Sequence, residues 1–277
     1  MARFAAQKYR KTHGPRKSRS GAYQEEAMIW GIHPVLEVLQ TCPQSIREIA
    51  VEKEKPGRRL EELVDLAQKK GVPVHMVAGG GKTGQRKSAR FPESENTQGV
   101  FARVGLPFLT LDGLLHELNH IDVPPLLLAL DSIQDPHNLG AIIRSAVAAG
   151  VHGIIVPKDR SAPITGTVIK TSAGSVFHVD ICRVTNLVST IKVLKEKGIW
   201  IFGTAKDAPQ SVYDADLTVP ACLVVGSEEK GLRPLVAGQC DLMLSIPMPG
   251  KLDSLNASVA AGVVLFETVR QRRARSV

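Results

Sequence analysis

Between Pro124 and Met248 the chain repeats one pattern: a short, almost unbroken apolar run, then a stretch of helical character. The runs are "PPLLLALDSI", "GIIVP", "VFHVDIC", "IWIFGTA", "ACLVVGSE" and "DLMLSIPM". A strand with one wet face alternates apolar and polar residues, whereas these are apolar on both sides. Such strands are buried on both faces, which predicts a mainly parallel sheet with helices packed above and below it. The fold class read from this pattern is α/β.

That architecture says where to look for chemistry, because open α/β sheets bind ligands beyond the carboxyl ends of their strands. Three of these strand ends are unusually rich in polar residues and glycine. After the first run comes "DSIQDPHNLGAIIRSAVAAG", where Pro136 and Asn138 predict a turn, Gly140 a close helix approach, and Arg144 lies further along the helix. The fifth run leads into "VVGSEEKGLRP" and the sixth into "SIPMPGKLDSLNASVAAG". In the last of these, Ser254, Asn256 and Ser258 stand at the mouth of an apolar helix. Their oxygens can satisfy free N–H groups of a first turn or face a ligand, and the pattern leaves both readings open.

At 277 residues the chain exceeds one ordinary domain, which predicts two, each with a core of its own. The expected division is a basic tail at 1–25, a small α/β unit at 26–104, a connector with a short helix at 105–122, and the larger domain at 123–277. The small unit is read from "GIHPVLEVL" and "GRRLEELVDLAQKKG" as helices and "IREIAVEKE", "VPVHMVA" and "GVFARV" as strands. Between its last two strands lies "GGGKTGQRKSARFPESENTQ". Gly79, Gly81 and Gly84 match a dinucleotide fingerprint there, but no apolar helix follows. A P-loop needs glycine where Met76 stands, so the stretch is read as a loop that contacts RNA or merely connects.

The net charge of +8 sits mainly in the tail, where Arg3, Lys8, Arg10, Lys11, Arg16, Lys17 and Arg19 occur without an acid. Such a segment suits a phosphate backbone or is a solvated arm, while Gly14-Pro15 interrupts the amphipathic helix of a transit peptide. No apolar run is long enough to span a membrane. Cys42, Cys182, Cys222 and Cys240 form no CxxC pair, and the eight histidines show no ligand spacing, so neither a metal site nor a disulfide framework is expected. Buried thiols in a reducing cytosol fit best.

With these residues in view, the sequence resembles the SpoU-type, or TrmH-like, RNA ribose 2′-O-methyltransferases. The likeness rests on "DPHNLGAIIRSA", "VVGSEEKGL" and "IPMPGKLDSLNASVAAG" in order, with "KTSAGSVFHVD" between the first two, and covers residues 123–277. "GIHPVLEVL" and "TQGVFARV" extend it over the amino-terminal unit, which resembles the L30e-like substrate-binding module of the branch that methylates a guanosine in large-subunit rRNA. Two positions depart from the pattern: Thr97 stands where the family often has His, and Glu229 where Gly is common.

The resemblance implies a SPOUT fold, an α/β domain whose carboxyl-terminal segment is threaded into a deep trefoil knot. It implies S-adenosylmethionine as methyl donor, lined by Gly226, Ile246 and Leu255 with Thr204 and Met248 as neighbours. Arg144 is the family's catalytic arginine by motif position. Because a guanidinium stays protonated, the favoured role is to grip a phosphate and stabilise the developing alkoxide. Asn138 and Glu228 are expected to orient the site, Glu228 by anchoring Arg144 or a loop amide. Ser254 and Asn256 sit beside the donor. The implied partners are 23S rRNA or an assembling large subunit and a second copy of the chain, with no membrane and no metal, in the cytoplasm. Rival readings are a tRNA or other rRNA methyltransferase, including the resistance branch, and a noncatalytic RNA-binding or ribosome-assembly protein.

Overall fold

The structure, a computed structural model, describes residues 22–53, 57–77, 98–251 and 254–275. The basic stretch 1–20, the glycine-rich loop that begins at Gly79, and Thr97 lie outside these residues.

The amino-terminal part runs β1 (Ala22–Trp30), α1 (Ile32–Thr41), β2 (Ile46–Glu52), α2 (Arg58–Lys69), β3 (Val74–Val77) and β4 (Val100–Leu109). β1 was not anticipated, because Glu25 and Glu26 interrupt its apolar pattern. It pairs antiparallel with β4 along its whole length, so the boundary expected at residue 25 falls inside a strand. The turn into α1 needs Gly31, whose φ of 94° lies in the region that glycine favours. The side chain of Gln98 accepts from the N–H of Ile32 at 3.0 Å, and Val100 O accepts from Gly31 N–H at 3.1 Å. These two bonds explain why "GIHPV" and "TQGV" occur together.

β4 also corrects the connector. Its first five residues, Gly105 to Leu109, continue the strand instead of leaving it, and only α3 (Leu111–Leu118) matches the expected helix. The sequence suggested a break because "GLP" is a turn signal. On the edge of β4 away from β1, Pro107 falls between two registers, because β2 pairs with β4 up to Val104 and β7 takes over at Phe108.

The carboxyl-terminal part runs β5 (Leu126–Asp131), α4 (Pro136–Ala148), β6 (Gly153–Pro157), α5 (Gly166–Thr171), β7 (Asp180–Val184), α6 (Leu187–Glu196), β8 (Trp200–Thr204), β9 (Gln210–Ser211), β10 (Ala221–Gly226), α7 (Pro234–Ala237), β11 (Leu242–Ser245) and α8 (Ala257–Arg275). Val176 and Phe177, read as the start of a strand, belong instead to a one-turn 3₁₀ helix, and β7 begins at Asp180. Both residues are buried, so the apolar run reported burial correctly and strand wrongly.

Among the described residues one sheet holds all eleven strands, in the order β3-β2-β4-β7-β6-β5-β10-β8-β11-β9 with β1 beside β4. Among the strands of the described residues only the β1–β4 and β2–β4 pairs are antiparallel. Alternate residues of the central strands feed two cores. Leu126, Leu128 and Leu130 face the layer of α4, α5 and α8, whereas Leu127 and Ala129 face α3, α6 and α7. The first core runs without interruption from Ala27 and Val35 to Val264 and Leu265, so the two parts share it. Where α5 meets β1, a Cβ on Gly166 would lie 2.3 Å from the carbonyl oxygen of Met28, which shows how closely they are packed.

Candidate active site

β8, β10 and β11 are neighbours, and their carboxyl ends surround a cleft of about 850 Å³. Thr204 ends β8, Gly226 ends β10, Ile246 and Met248 follow β11, and Leu255 precedes α8; all five line the cleft. The residues named for the donor are thus brought together from four separate segments. The hydroxyl of Thr204 donates to Val224 O at 3.2 Å, so its hydrogen is already used within the sheet.

Gly226 is required by the turn that follows it. The chain folds back through a bridge between Ser227 and Gly231, and a Cβ on Gly226 would stand 2.2 Å from the carbonyl carbon of Gly231. Gly231 itself has a φ of 61°. This tight reversal lifts Glu228 over the rim of the cleft. At the first strand end, Asp135 caps α4 by accepting from His137 N–H at 2.8 Å, and Pro136 occupies the first turn. Gly140 brings α4 against α5, since a Cβ there would meet Thr171 Cβ at 2.7 Å.

Asn138, Glu228 and Asn256 form one hydrogen-bonded cluster at the rim. Oε1 of Glu228 accepts a short bond from Nδ2 of Asn138, a longer one of 3.4 Å from Nδ2 of Asn256, and one of 3.3 Å from the N–H of Ala257. Asn256 Nδ2 also donates to Oδ1 of Asn138 at 2.9 Å. The carboxylate therefore sits on the amino-terminal end of α8, where the helix dipole favours negative charge. It anchors two amides and a helix start, and not Arg144. Asn256 caps the same helix, its Oδ1 accepting from Ser258 N–H at 2.9 Å and Ser258 Oγ at 2.5 Å. Ser254 is exposed, lines the cleft, and has no hydrogen bond among the described residues.

Arg144 is not brought to this cleft. It is exposed on α4 and lies about 9 Å along the helix from Asn138, at 1.5 Å per residue. Among the described residues its guanidinium has no ion pair. Two features escaped the sequence reading. Lys206 and Asp207 line the cleft after β8, and attention to that strand end would have found them. Asp131, wholly buried at the end of β5, accepts from Arg233 Nε at 2.7 Å and from Arg233 N–H at 2.8 Å. A charge ending the apolar run "LLLALD" was the available signal.

Burial raises the thiol pKa of Cys182, Cys222 and Cys240. Burial, reinforced by Asp112, pushes Cys182 up to about 12, and burial with Asp241 pushes Cys240 up to about 11. Among the described residues no group of three His, Cys, Asp or Glu could hold a metal ion, and no helix is long and apolar enough to cross a membrane.

A cleft at the carboxyl ends of parallel strands, with glycine-built reversals and an amide–carboxylate rim, defines a small-ligand site of α/β type. The chain belongs to the SpoU rRNA methylase family, which matches residues 125–266; a second family, RNA 2′-O ribose methyltransferase substrate binding, matches residues 28–107. It is 41% identical over 248 residues to the 23S rRNA (guanosine-2′-O-)-methyltransferase RlmB of Pseudomonas putida, covering 89% of this chain and 97% of that one. Identity to the RlmB of Shewanella oneidensis is 42% over 250 residues, covering 90% and 99%. The SpoU methyltransferase AviRb of Streptomyces viridochromogenes, solved with AdoMet, superposes with a TM-score of 0.71 at 27% identity, covering 99% of this chain and 100% of that one.

Proposed function

We propose that the chain transfers the methyl group of S-adenosylmethionine to the ribose 2′-hydroxyl of a guanosine in 23S rRNA, as a cytoplasmic homodimer with a threaded carboxyl-terminal segment. One observation carries the reading: residues from separate strand ends meet around a single cleft, with Asn138, Glu228 and Asn256 bonded together at its rim. The names of the relatives support the guanosine and the 23S rRNA.

The cleft fits the donor in size and character. Pockets for ligands of this size run from about 300 to 1,000 Å³ with mostly apolar walls and a few polar groups. Ile246, Met248 and Leu255 supply such walls, while the backbone at Gly226 supplies hydrogen-bonding groups. When bound, S-adenosylmethionine supplies a methyl group on a positively charged sulfur. The chain then has to hold a ribose oxygen in line with that methyl and ease the loss of the hydroxyl proton.

Glu228 fixes both asparagine amides, so Asn138 and Asn256 present a set geometry to the nucleotide. Arg144 grips the phosphate beside the reacting ribose with its guanidinium and stabilises negative charge as it develops on the oxygen. The second copy supplies the missing proximity. α4 and α8 pack against each other in one layer, and α8 exposes Val259 and Phe266, each 50% accessible. A Cβ on Gly262 between them would meet open space. A dimer on this face covers that apolar stripe and lets Arg144 act across the interface.

Labelled S-adenosylmethionine incubated with the chain and a 23S rRNA transcript or assembly intermediate should leave one 2′-O-methyl mark, on a guanosine. Donor binding with no transfer to any 23S rRNA would overturn the reading. Arg144→Lys should lose most turnover while donor affinity, read by calorimetry, survives.

A further inference from the structure

We infer that Asp131 is a positioning residue of the reaction, acting through Arg233 to hold Glu228 at the rim of the cleft; the inference rests on the methyltransferase reading above. Asp131 is 0% exposed, and no catalytic distance requires it there. Taking a carboxylate out of water is costly, and a buried ion pair is weak evidence for added stability. What such a pair does supply is a fixed register between the segments it joins.

Two fasteners close a ring of chain at this point. One joins Asp131 to Arg233, through both the guanidinium and the backbone N–H. The other joins Asn138 to Glu228. Between them run residues 132–137 on one side and 229–232 on the other. Ser132 leaves β5 with a φ of 65°, a backbone conformation that costs energy for serine, so the reversal out of the strand is held by its surroundings. Its hydroxyl also donates to Asp131 at 3.4 Å. On the opposite side the β10 ladder, where Gly226 pairs with Asp131 itself, holds the start, the Ser227–Gly231 bridge closes the turn on itself, and Arg233 fixes that closed turn to β5. Glu228 stands at the crest between these two tethers. Of its own side-chain partners Asn138 is half-buried and Asn256 exposed, and only the N–H of Ala257 belongs to a buried residue.

Asp131→Asn keeps the shape and one acceptor but turns an amide donor toward the guanidinium. The loop over the cleft should then lose its second tether. We expect the turnover number to fall about 10- to 100-fold, the effect of misplacing a group by around an ångström, with the KM for RNA nearly unchanged. In a double-mutant cycle with Glu228→Gln, the Asp131→Asn penalty should shrink toward onefold, because the residue it positions no longer contributes. Penalties that simply multiply would overturn the inference.

Amide hydrogen exchange supplies a readout that does not depend on activity. Asp131→Asn should speed exchange at Ala257 N–H while the amides around Val264 stay protected, and an unchanged Ala257 would overturn the inference equally. Arg233→Lys, which keeps the charge and the backbone N–H, should give a smaller shift in the same direction and serves if Asp131→Asn does not fold. A wild-type chain that leaves 23S rRNA unmarked fails the methyltransferase reading; an active one whose penalties multiply fails this inference alone.

Discussion

At its amino-terminal end α8 meets Glu228, Asn138 and Asn256; about 28 Å away, at 1.5 Å per residue, its other end meets a different kind of partner. There Arg272 donates to the backbone carbonyls of Pro124, Pro125, Leu217 and Val219 at 2.7 to 3.1 Å. Gln271 donates to Ala215 O at 3.0 Å and accepts from Leu217 N–H at 2.9 Å. Glu267, buried, binds Arg270 through both carboxylate oxygens at 2.8 Å. At this end Arg272 and Gln271 bind backbone, and that backbone belongs to the loops that start β5 and β10. At the other end Asn138, Glu228 and Asn256 bind one another through side chains, and these three residues are exposed or half-buried. The same helix is thus welded to the scaffold below the sheet and left adjustable above it, as a site that must admit donor and RNA requires.

The contrast can be broken from either side, and the largest effect is expected at the site. Glu228→Ala should lower the turnover number by about 10²- to 10³-fold, in the range for removing one preorganised polar group. The thermal midpoint should hardly move, since the groups it releases can bond to water. A drop in both together would show that the rim is structural as well. Arg272→Ala should do the reverse. It strands several carbonyls at once and should remove about 3 kcal/mol of stability by urea titration. Donor affinity measured well below the midpoint should be preserved, and its loss would mean that the two ends are coupled.

How far the sequence carried this picture depends on which kind of contact was involved. Strand class and the strand ends were legible because burial on both faces leaves an unbroken apolar run, as in "LLLAL" and "ACLVV". Ten candidate residues came from those ends and the family likeness, and the structure gathers all but Arg144 in or beside one cleft. Asn138 and Asn256 qualify only through their bonds to Glu228, contacts across 90 and 28 residues that no local pattern reports. β1 was missed because two glutamates broke its alternation, and the continuity of β4 because Gly105 and Pro107 imitate a turn. Nothing local distinguishes Arg272 from the other charges of "RQRRAR", since its acceptors are backbone atoms and leave no trace in side-chain identity.

A smaller effect tests the welded end through pH. Glu267 is held below the ordinary carboxylate range, chiefly by the hydrogen bond from Arg270, with Gln271 adding to it. A carboxyl depressed in the folded state contributes stability that is fully present above its unfolded value and is lost as pH falls through the folded one. Glu267→Gln should therefore be the less stable protein at neutral pH, and its deficit should close on acidification below about pH 4. Urea midpoints that stay parallel from pH 7 to pH 3 would remove Glu267 from the weld.

The smallest effect separates two of the three polar residues whose role the sequence left open at the mouth of α8, Asn256 and Ser254. Asn256 spends its carbonyl oxygen on Ser258 and its amide on Asn138 and Glu228, so it is a cap first. Asn256→Ala should cost about 1 kcal/mol of stability, the usual price of a lost cap, along with activity. Ser254 has no such employment. It is exposed, faces the cleft, and makes no hydrogen bond among the described residues, so nothing in the fold depends on its hydroxyl. Ser254→Ala should leave stability within about 0.5 kcal/mol of wild type, as surface substitutions do. A hydroxyl that meets the donor contributes one net hydrogen bond, so affinity should fall about two- to tenfold by calorimetry. An unchanged donor affinity with a raised KM for RNA would instead point the hydroxyl at the nucleotide, which moves Ser254 across the cleft without moving it out of the site.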